Sequence, residues 1–238
     1  VRQALIIGWN RDDLTKSVLT DSYKPATSVL GSKTIGYSDY SQTALKYDPE
    51  KAKQVLDAAG WKPGPDGIRT KDGKKLTIKL LVPNNLLAPN VPAAQLFQAE
   101  LKKIGIDVAL TNISSSEISA QWSQLPTLYN GVLFNTSRQD PSVLGQSFST
   151  GAGNGAHLTT NDPAVGVLDP ALTKVDSTLE SATRNAAAKE AQDLILEKYF
   201  LYNPFYEAAQ VYATSPKVHG LAFGALARTY YYNVWLDK

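Results

Sequence analysis

The 238-residue sequence contains no cysteine and no methionine, and only two histidines. Without cysteine, the chain can form no disulfide, no thiolate zinc site and no cysteine nucleophile. Because a newly made chain begins with methionine, the absence of methionine predicts that this sequence is a piece or a processed product of a longer protein. Isolated histidines are usually surface or hydrogen-bonded groups, so neither His157 nor His219 is expected to bind a metal or to act in catalysis.

The sequence also lacks a charge excess and a long apolar run. Lys and Arg number 24 and Asp and Glu 22, which gives a net charge of +2 and no electrostatic footprint for nucleic acid. No run of about 18 apolar residues is present, so no membrane span is predicted. With 43% hydrophobic residues the composition is that of a globular protein, and the length allows a core that needs no covalent or metal support.

Local signals predict several element boundaries. Asp48 and Pro49 are typical of a helix start, since Asp caps free N–H groups and Pro has none to lose. Gly60 is typical of a helix end. Asp72 and Gly73 predict a two-residue hairpin turn.

An alternation of strand and helix follows the hairpin. The pattern predicts strands at 76–82, 106–111 and 131–135, with a helix at 91–104 between the first two. A strand, a helix and a second strand in this order indicate a parallel pair with a right-handed crossover. Residues 163–179 are predicted to form a helix that Pro170 interrupts.

Catalytic motifs are weak. Residues 145–149 nearly match a nucleophile elbow, but Ser147 falls within a predicted helix. Residues 151–156 fit a dinucleotide fingerprint by letter, yet no helix is predicted to follow. Three aspartates precede proline and are interpreted as helix caps: Asp48, Asp140 and Asp162. We therefore predict neither an enzyme nor a cofactor; a hydrolase or transferase would need a clustered nucleophile and base.

Aromatic residues give the positive signal. Tyr numbers 12 and Trp 4, and rings in turn-rich segments suit the recognition of a polar organic ligand. Half or more of them are expected to pack the core, and about a third to contact ligand. The candidates are Tyr37, Tyr40, Phe134, Tyr202, Phe205 and Tyr206.

The segment 47–61, with the sequence YDPEKAKQVLDAAGW, resembles a signature of the family 5 extracellular solute-binding proteins. These are the oligopeptide, dipeptide and nickel-type receptors of ABC importers. The resemblance continues through 62–69 and 72–76, and includes the opening residues 1–5 and the segment 215–220. It covers essentially the whole chain.

The resemblance implies an α/β fold: a periplasmic-binding-protein-like lobe with a mixed, mostly parallel sheet flanked by helices. Residues 1–211 would be the carboxyl-terminal ligand-binding lobe, and 212–238 a tail crossing back toward a missing amino-terminal lobe. The receptor would close on its ligand at a hinge and dock on an ABC permease, without covalent chemistry. It would be extracytoplasmic, and membrane-anchored in its full-length form.

The resemblance also implies site residues. Alignment on Asp140 and Pro141 places Phe134 at an aromatic position, and Ser137 where peptide-binding members carry an acid that pairs with the α-amino group. Arg138 would favour a carboxylate, phosphate or carbonyl-rich ligand. The rest of the cleft wall is expected at Asn154, Phe205 and Tyr206.

The resulting hypothesis is a receptor for a peptide or related polar organic solute. The alternative keeps the fold and changes the ligand to a sugar oligomer, an opine-like compound or a metal chelate. No metal-binding residues are predicted in this chain.

Overall fold

The computed structural model describes residues 1–84, 89–135, 138–150, 158, 162–224 and 228–237. Its helices are α1 (Arg2–Ile7), α2 (Arg11–Ser17), α3 (Pro49–Ala58), α4 (Asn90–Lys102), α5 (Ser115–Gln121), α6 (Leu125–Leu128), α7 (Val143–Phe148), α8 (Val165–Ser177) and α9 (Ser181–Asp193), with a 3₁₀ turn at Trp122–Gln124 and a π turn at Leu194–Lys198. Its strands are β1 (Lys24–Pro25), β2 (Lys62–Pro63), β3 (Arg69–Lys71), β4 (Lys74–Lys75), β5 (Thr77–Pro83), β6 (Asp107–Ile113), β7 (Gly131–Val132), β8 (Tyr206–Glu207), β9 (Val218–His219), β10 (Ala222–Phe223), β11 (Thr229–Tyr230) and β12 (Trp235–Leu236).

A parallel sheet of order β6-β5-β7 organises the fold. Thr77 lies opposite Asp107, and Leu80 lies opposite Gly131. The predicted parallel pair with α4 as its crossover is confirmed. The third strand is shorter than predicted, since only Gly131 and Val132 pair with β5.

The hydrophobic core joins this sheet to helices from both halves of the chain. Phe97 and Leu101 of α4 are buried beside β5 and β6, and Trp9, Leu56 and Ile195 belong to the same cluster. The sheet and the helices that flank it therefore share one core.

The local signals placed most of the boundaries correctly. Asp48 caps α3 by accepting from the N–H of Lys51 at 2.8 Å, and Gly60 follows the helix at φ +85°. Asp72 and Gly73 both have positive φ, as a type I′ hairpin turn requires, and they join β3 to β4.

Two helix predictions were wrong, one for the residues around Pro170 and one for the Asp140-Pro141 pair. Pro170 lies inside the continuous helix α8, whose buried Leu168, Leu172 and Val175 anchor it against its neighbours. Burial of that face offsets the ~3 kcal/mol that an interior proline costs. Asp140 does not start a helix as Asp48 does. The helix α7 begins at Val143, and the Asp140 carboxylate accepts from the N–H of Ser142 at 2.9 Å and pairs with Arg184.

In the terminal segment, the described residues 212–224 and 228–237 contain two small antiparallel pairs, β9 with β12 and β10 with β11. The segment is unusual in how much large apolar surface it exposes. Its exposed residues of this kind are Tyr212, Phe223, Tyr230, Tyr231, Tyr232, Trp235 and Leu236.

None of the helices in the described part of the chain has both the length and the hydropathy needed to cross a bilayer.

Two glycines offer a matched test of packing at the junction of α4 and β6. Gly105 and Gly67 both have φ above +80°, but a Cβ at Gly105 would lie 2.7 Å from Cγ of Arg69, whereas a Cβ at Gly67 would meet nothing within 4 Å. We expect Gly67→Ala to lower the free energy of unfolding by about 1 kcal/mol through backbone strain alone. Gly105→Ala should cost about 3 kcal/mol because the clash adds to it. Urea unfolding of both variants checks this, and equal costs would contradict it.

Candidate functional site

A cleft of about 830 Å³ lies beside β7 and the segment that follows it. Most of its wall comes from three stretches distant in sequence, residues 28–34, 129–135 and 200–208. We number these stretches as the first, second and third walls in chain order. Antiparallel pairing of β8 with β1 joins the third wall to the residues just before the first wall. The cleft volume lies within the usual range for sites that bind small molecules.

One wall of the cleft is aromatic. Phe134 lies edge-on to Tyr202 at 6.2 Å between ring centroids, and Tyr202 lies edge-on to Phe148 at 5.8 Å. All three rings line the cleft. Phe134, one of the predicted site residues, thus lines the cleft, and its contact with a solute stays a prediction.

Phe205 and Tyr206 have different surroundings. Phe205 is 9% exposed and packs on Trp9 and Phe97 at 4.6 and 5.0 Å, so most of the ring supports the cleft from beneath. The Tyr206 hydroxyl donates to Oδ1 of Asn90 at 2.9 Å. Burial raises the pKa of Tyr206 to about 12, so this hydroxyl keeps its proton at neutral pH.

A buried guanidinium anchors the third wall. Arg11 donates to the carbonyl of Pro204 at 2.7 Å and to Oδ1 of Asn203 at 2.6 Å, and also to the carbonyls of Ile6 and Leu45. No described carboxylate pairs with it. Burial lowers the pKa of Arg11 to about 9, which leaves the guanidinium charged at neutral pH.

The backbone carbonyls of Arg138 and Gln139 hold the loop that forms the first wall. The Arg138 carbonyl accepts from Oγ1 of Thr34 at 2.7 Å, and the Gln139 carbonyl accepts from the N–H of Ile35 at 2.9 Å. The Arg138 side chain is exposed and is not among the residues that line the cleft. Its role in ligand binding stays a prediction. Ser137 and Asn154, also predicted as site residues, lie outside the described residues.

Glu207 is a cleft residue that the sequence reasoning missed. Both of its carboxylate oxygens accept from Ser32, one from the N–H and one from the hydroxyl, each at 2.7 Å. Glu207, Ser32 and Lys33 all line the cleft. Nothing in the local sequence shows that residue 207 would meet residue 32.

The arrangement suits binding rather than bond cleavage. Ser147 lies buried within α7 rather than at a strand-to-helix turn. His219 stacks on Trp235 at 4.3 Å and contacts Asp237, in the exposed terminal segment. Among the described residues, no three His, Asp or Glu side chains are grouped closely enough to hold a metal ion.

Comparison with known proteins decides the family. The sequence profile described as bacterial extracellular solute-binding proteins, family 5 (middle), matches residues 1–155. The chain belongs to this family.

Two curated relatives and one solved structure are similar to the chain. The oligopeptide-binding protein AppA of Bacillus subtilis (strain 168) is 33% identical over 153 residues, which cover 63% of this chain and 26% of that protein. The nickel-binding periplasmic protein of Escherichia coli (strain K12) is 32% identical over 123 residues, covering 51% and 23%. NikA from Brucella suis in complex with Fe(III)-EDTA superposes with a TM-score of 0.75 at 25% identity, covering 95% of this chain and 45% of that one.

These findings confirm the predicted family and the periplasmic-binding-protein-like α/β fold. The aligned part spans only about a quarter of the curated relatives' length. The family is described as bacterial extracellular solute-binding proteins, which agrees with the prediction of a binding protein rather than an enzyme.

The ion pair of Asp140 with Arg184 predicts a pH-dependent contribution to stability. Both carboxylate oxygens accept from the guanidinium at 2.7 Å, and these bonds hold the pKa of Asp140 well below its usual range. The contribution is therefore fully present above the unfolded-state pKa of about 4 and is lost as the pH falls below it. Because the pair is partly exposed, we expect Asp140→Asn to cost only about 1 kcal/mol at pH 7.

Urea unfolding of this variant from pH 7 to pH 2 checks the prediction, and the difference from the unsubstituted chain should shrink at the acid end. Asp39→Asn is the matched control. Asp39 accepts from the N–H of Ser41 at 2.7 Å, as Asp140 accepts from the N–H of Ser142 at 2.9 Å, but Asp39 has no described arginine partner. Similar losses for both variants would contradict a role for the ion pair.

Proposed function

We propose that this chain supplies the carboxyl-terminal lobe of an ABC-importer receptor that binds a peptide or related polar organic solute by hinge closure. The observation that carries the proposal is the open 830 Å³ cleft with one aromatic wall, in a chain of this family. A lobe with such a cleft provides one set of contacts, and a second lobe closing over it would provide the rest.

A peptide is the favoured solute class. The relative AppA is named as an oligopeptide-binding protein, and the cleft combines apolar and aromatic surface with amide and hydroxyl groups. Such surroundings accept varied side chains while polar groups bind the peptide backbone. A sugar oligomer, an opine-like compound or a metal chelate is the alternative, and no observation favours it over a peptide.

Within this receptor, Phe134 would contact the solute directly, and Tyr206 would border it beside Asn90. Phe205 would support the cleft floor. Ser137, Arg138 and Asn154 keep the roles that the family resemblance implies for them.

The domain assignment is part of the proposal. Residues 1–211 would form the ligand-binding lobe, and 212–238 would cross toward an amino-terminal lobe outside this chain. Exposed Tyr230, Tyr232 and Trp235 support this assignment, because apolar surface of this extent is typical of an interface. The complete receptor would be membrane-anchored and would deliver its solute to an ABC permease.

Isothermal titration calorimetry with a tripeptide pool tests the proposal, using the 238-residue chain and a receptor that contains both lobes. We expect the chain alone to bind roughly 100-fold more weakly, or undetectably, because it offers about half of the contacts. Equal affinity of the two proteins would contradict the lobe assignment. Turnover of the peptides by either protein would contradict the receptor function.

A further inference from the structure

We propose that Glu207 is the anchor for a positively charged group of the solute, such as a peptide's free amino group. The inference rests on the proposed function, since it concerns the same cleft, and it specifies the solute's chemistry. Nothing in the family resemblance assigns this role to residue 207; the resemblance places an acid at position 137, where this chain has serine.

The structure places Glu207 in the cleft wall in a fixed orientation. It lies in β8, next to Tyr206, and β8 is held by its pairing with β1. The N–H and the hydroxyl of Ser32 each bind one carboxylate oxygen. An ionised carboxylate has about four acceptor positions, so these two bonds orient the group and leave about half of its capacity open.

The other charges around the cleft leave Glu207 without a counter-ion. Arg2 pairs with Asp162 at 3.2 Å. Lys24, the cross-strand neighbour of Glu207, makes no ion pair with it, and neither does Lys33. Within the described chain, Glu207 is thus a cleft-lining carboxylate with no cationic partner, and it is the one acidic residue among those that line the cleft.

Hinge closure would make the cleft selective for solutes that carry a cationic group. An open cleft lets water solvate the carboxylate, whereas a closed one removes that water. A carboxylate that loses water without gaining a cation carries a large desolvation cost. An ammonium or guanidinium group on the solute would satisfy Glu207 with charge-assisted hydrogen bonds, and a neutral or anionic group would leave it uncompensated.

Lys33 adds a charge of the opposite sign close by. It follows Ser32 in sequence, lines the cleft and is exposed. A zwitterionic solute would therefore meet complementary charges on this side of the cleft, with Glu207 as the group that distinguishes a free amine from a blocked one.

The variant Glu207→Gln isolates the charge. A glutamine side chain can accept from the Ser32 N–H through its carbonyl oxygen and donate to the Ser32 hydroxyl, so both positioning contacts are kept. Glu197→Gln and Lys33→Gln are matched controls. The first makes the same charge change at an exposed carboxylate that does not line the cleft, the second removes the neighbouring cation, and both keep the Glu207 carboxylate and its bonds to Ser32.

The experiment measures binding by the two-lobed receptor of a tripeptide pool without Lys, Arg or His, offered with free and with N-acetylated amino ends. We expect the unsubstituted receptor to bind the free-amino pool at least ~10-fold more tightly than the acetylated pool. In Glu207→Gln this preference should fall below about twofold, whereas both control variants should retain it. Thermal unfolding midpoints of the four proteins establish that each is folded.

The outcomes separate this assignment from the proposed function. If both pools bind the unsubstituted receptor equally, or if Glu207→Gln keeps the preference, the receptor function stands and the role of Glu207 is overturned. If neither pool binds, the peptide class itself is wrong and the assignment falls with it.

Discussion

The buried guanidinium of Arg11 is the constraint on which the cleft depends. Arg11 is the first residue of α2, and it binds Asn203 and Pro204, more than 190 residues away in the chain. Asn203 completes the network, because its Oδ1 also accepts from Nε1 of Trp9 and its Nδ2 donates to the carbonyl of Leu5. A cleft wall that would otherwise be an irregular segment is thus attached to the core by a set of buried hydrogen bonds.

The burial of this hydrogen-bond network makes each of its bonds costly to lose. The Arg11 guanidinium lies 4.8 Å from the ring of Trp9, which packs with Phe97 and Phe205. Water is excluded there, so each lost bond would leave a buried polar group unpaired, at about 1–3 kcal/mol each. The wall that carries Tyr202, Tyr206 and Glu207 therefore has a defined position before any solute arrives, which lowers the cost of ordering it on binding.

The sequence predicted the features that local chemistry determines. Asp48, Gly60 and the Asp72-Gly73 turn act through their immediate neighbours, and the 3.6-residue pattern of α4 needs only one apolar face. The parallel pair followed from the order of elements. These features suffice to identify the α/β class, whereas Phe134 was singled out by the family resemblance.

Other features depend on contacts between distant segments, and they were missed for that reason. The meeting of Glu207 with Ser32 joins residues 175 positions apart. Asp140 was read as a helix cap because its partner Arg184 lies 44 positions away. Pro170 remains helical only because α8 is packed on its buried face. Arg11 gave no signal as a core residue, since a charged side chain is rarely buried without a carboxylate.

Hydrogen exchange in an Arg11→Met variant tests most directly whether this guanidinium holds the cleft wall. The amide of Ala26, which donates to the carbonyl of Phe205, reports on the wall, and the amides of β5 report on the sheet. We predict that exchange at Ala26 accelerates at least ~10-fold while the β5 amides keep most of their protection, because the wall opens without unfolding the sheet. Unchanged exchange at Ala26, or an equal loss of protection in β5, would contradict the account.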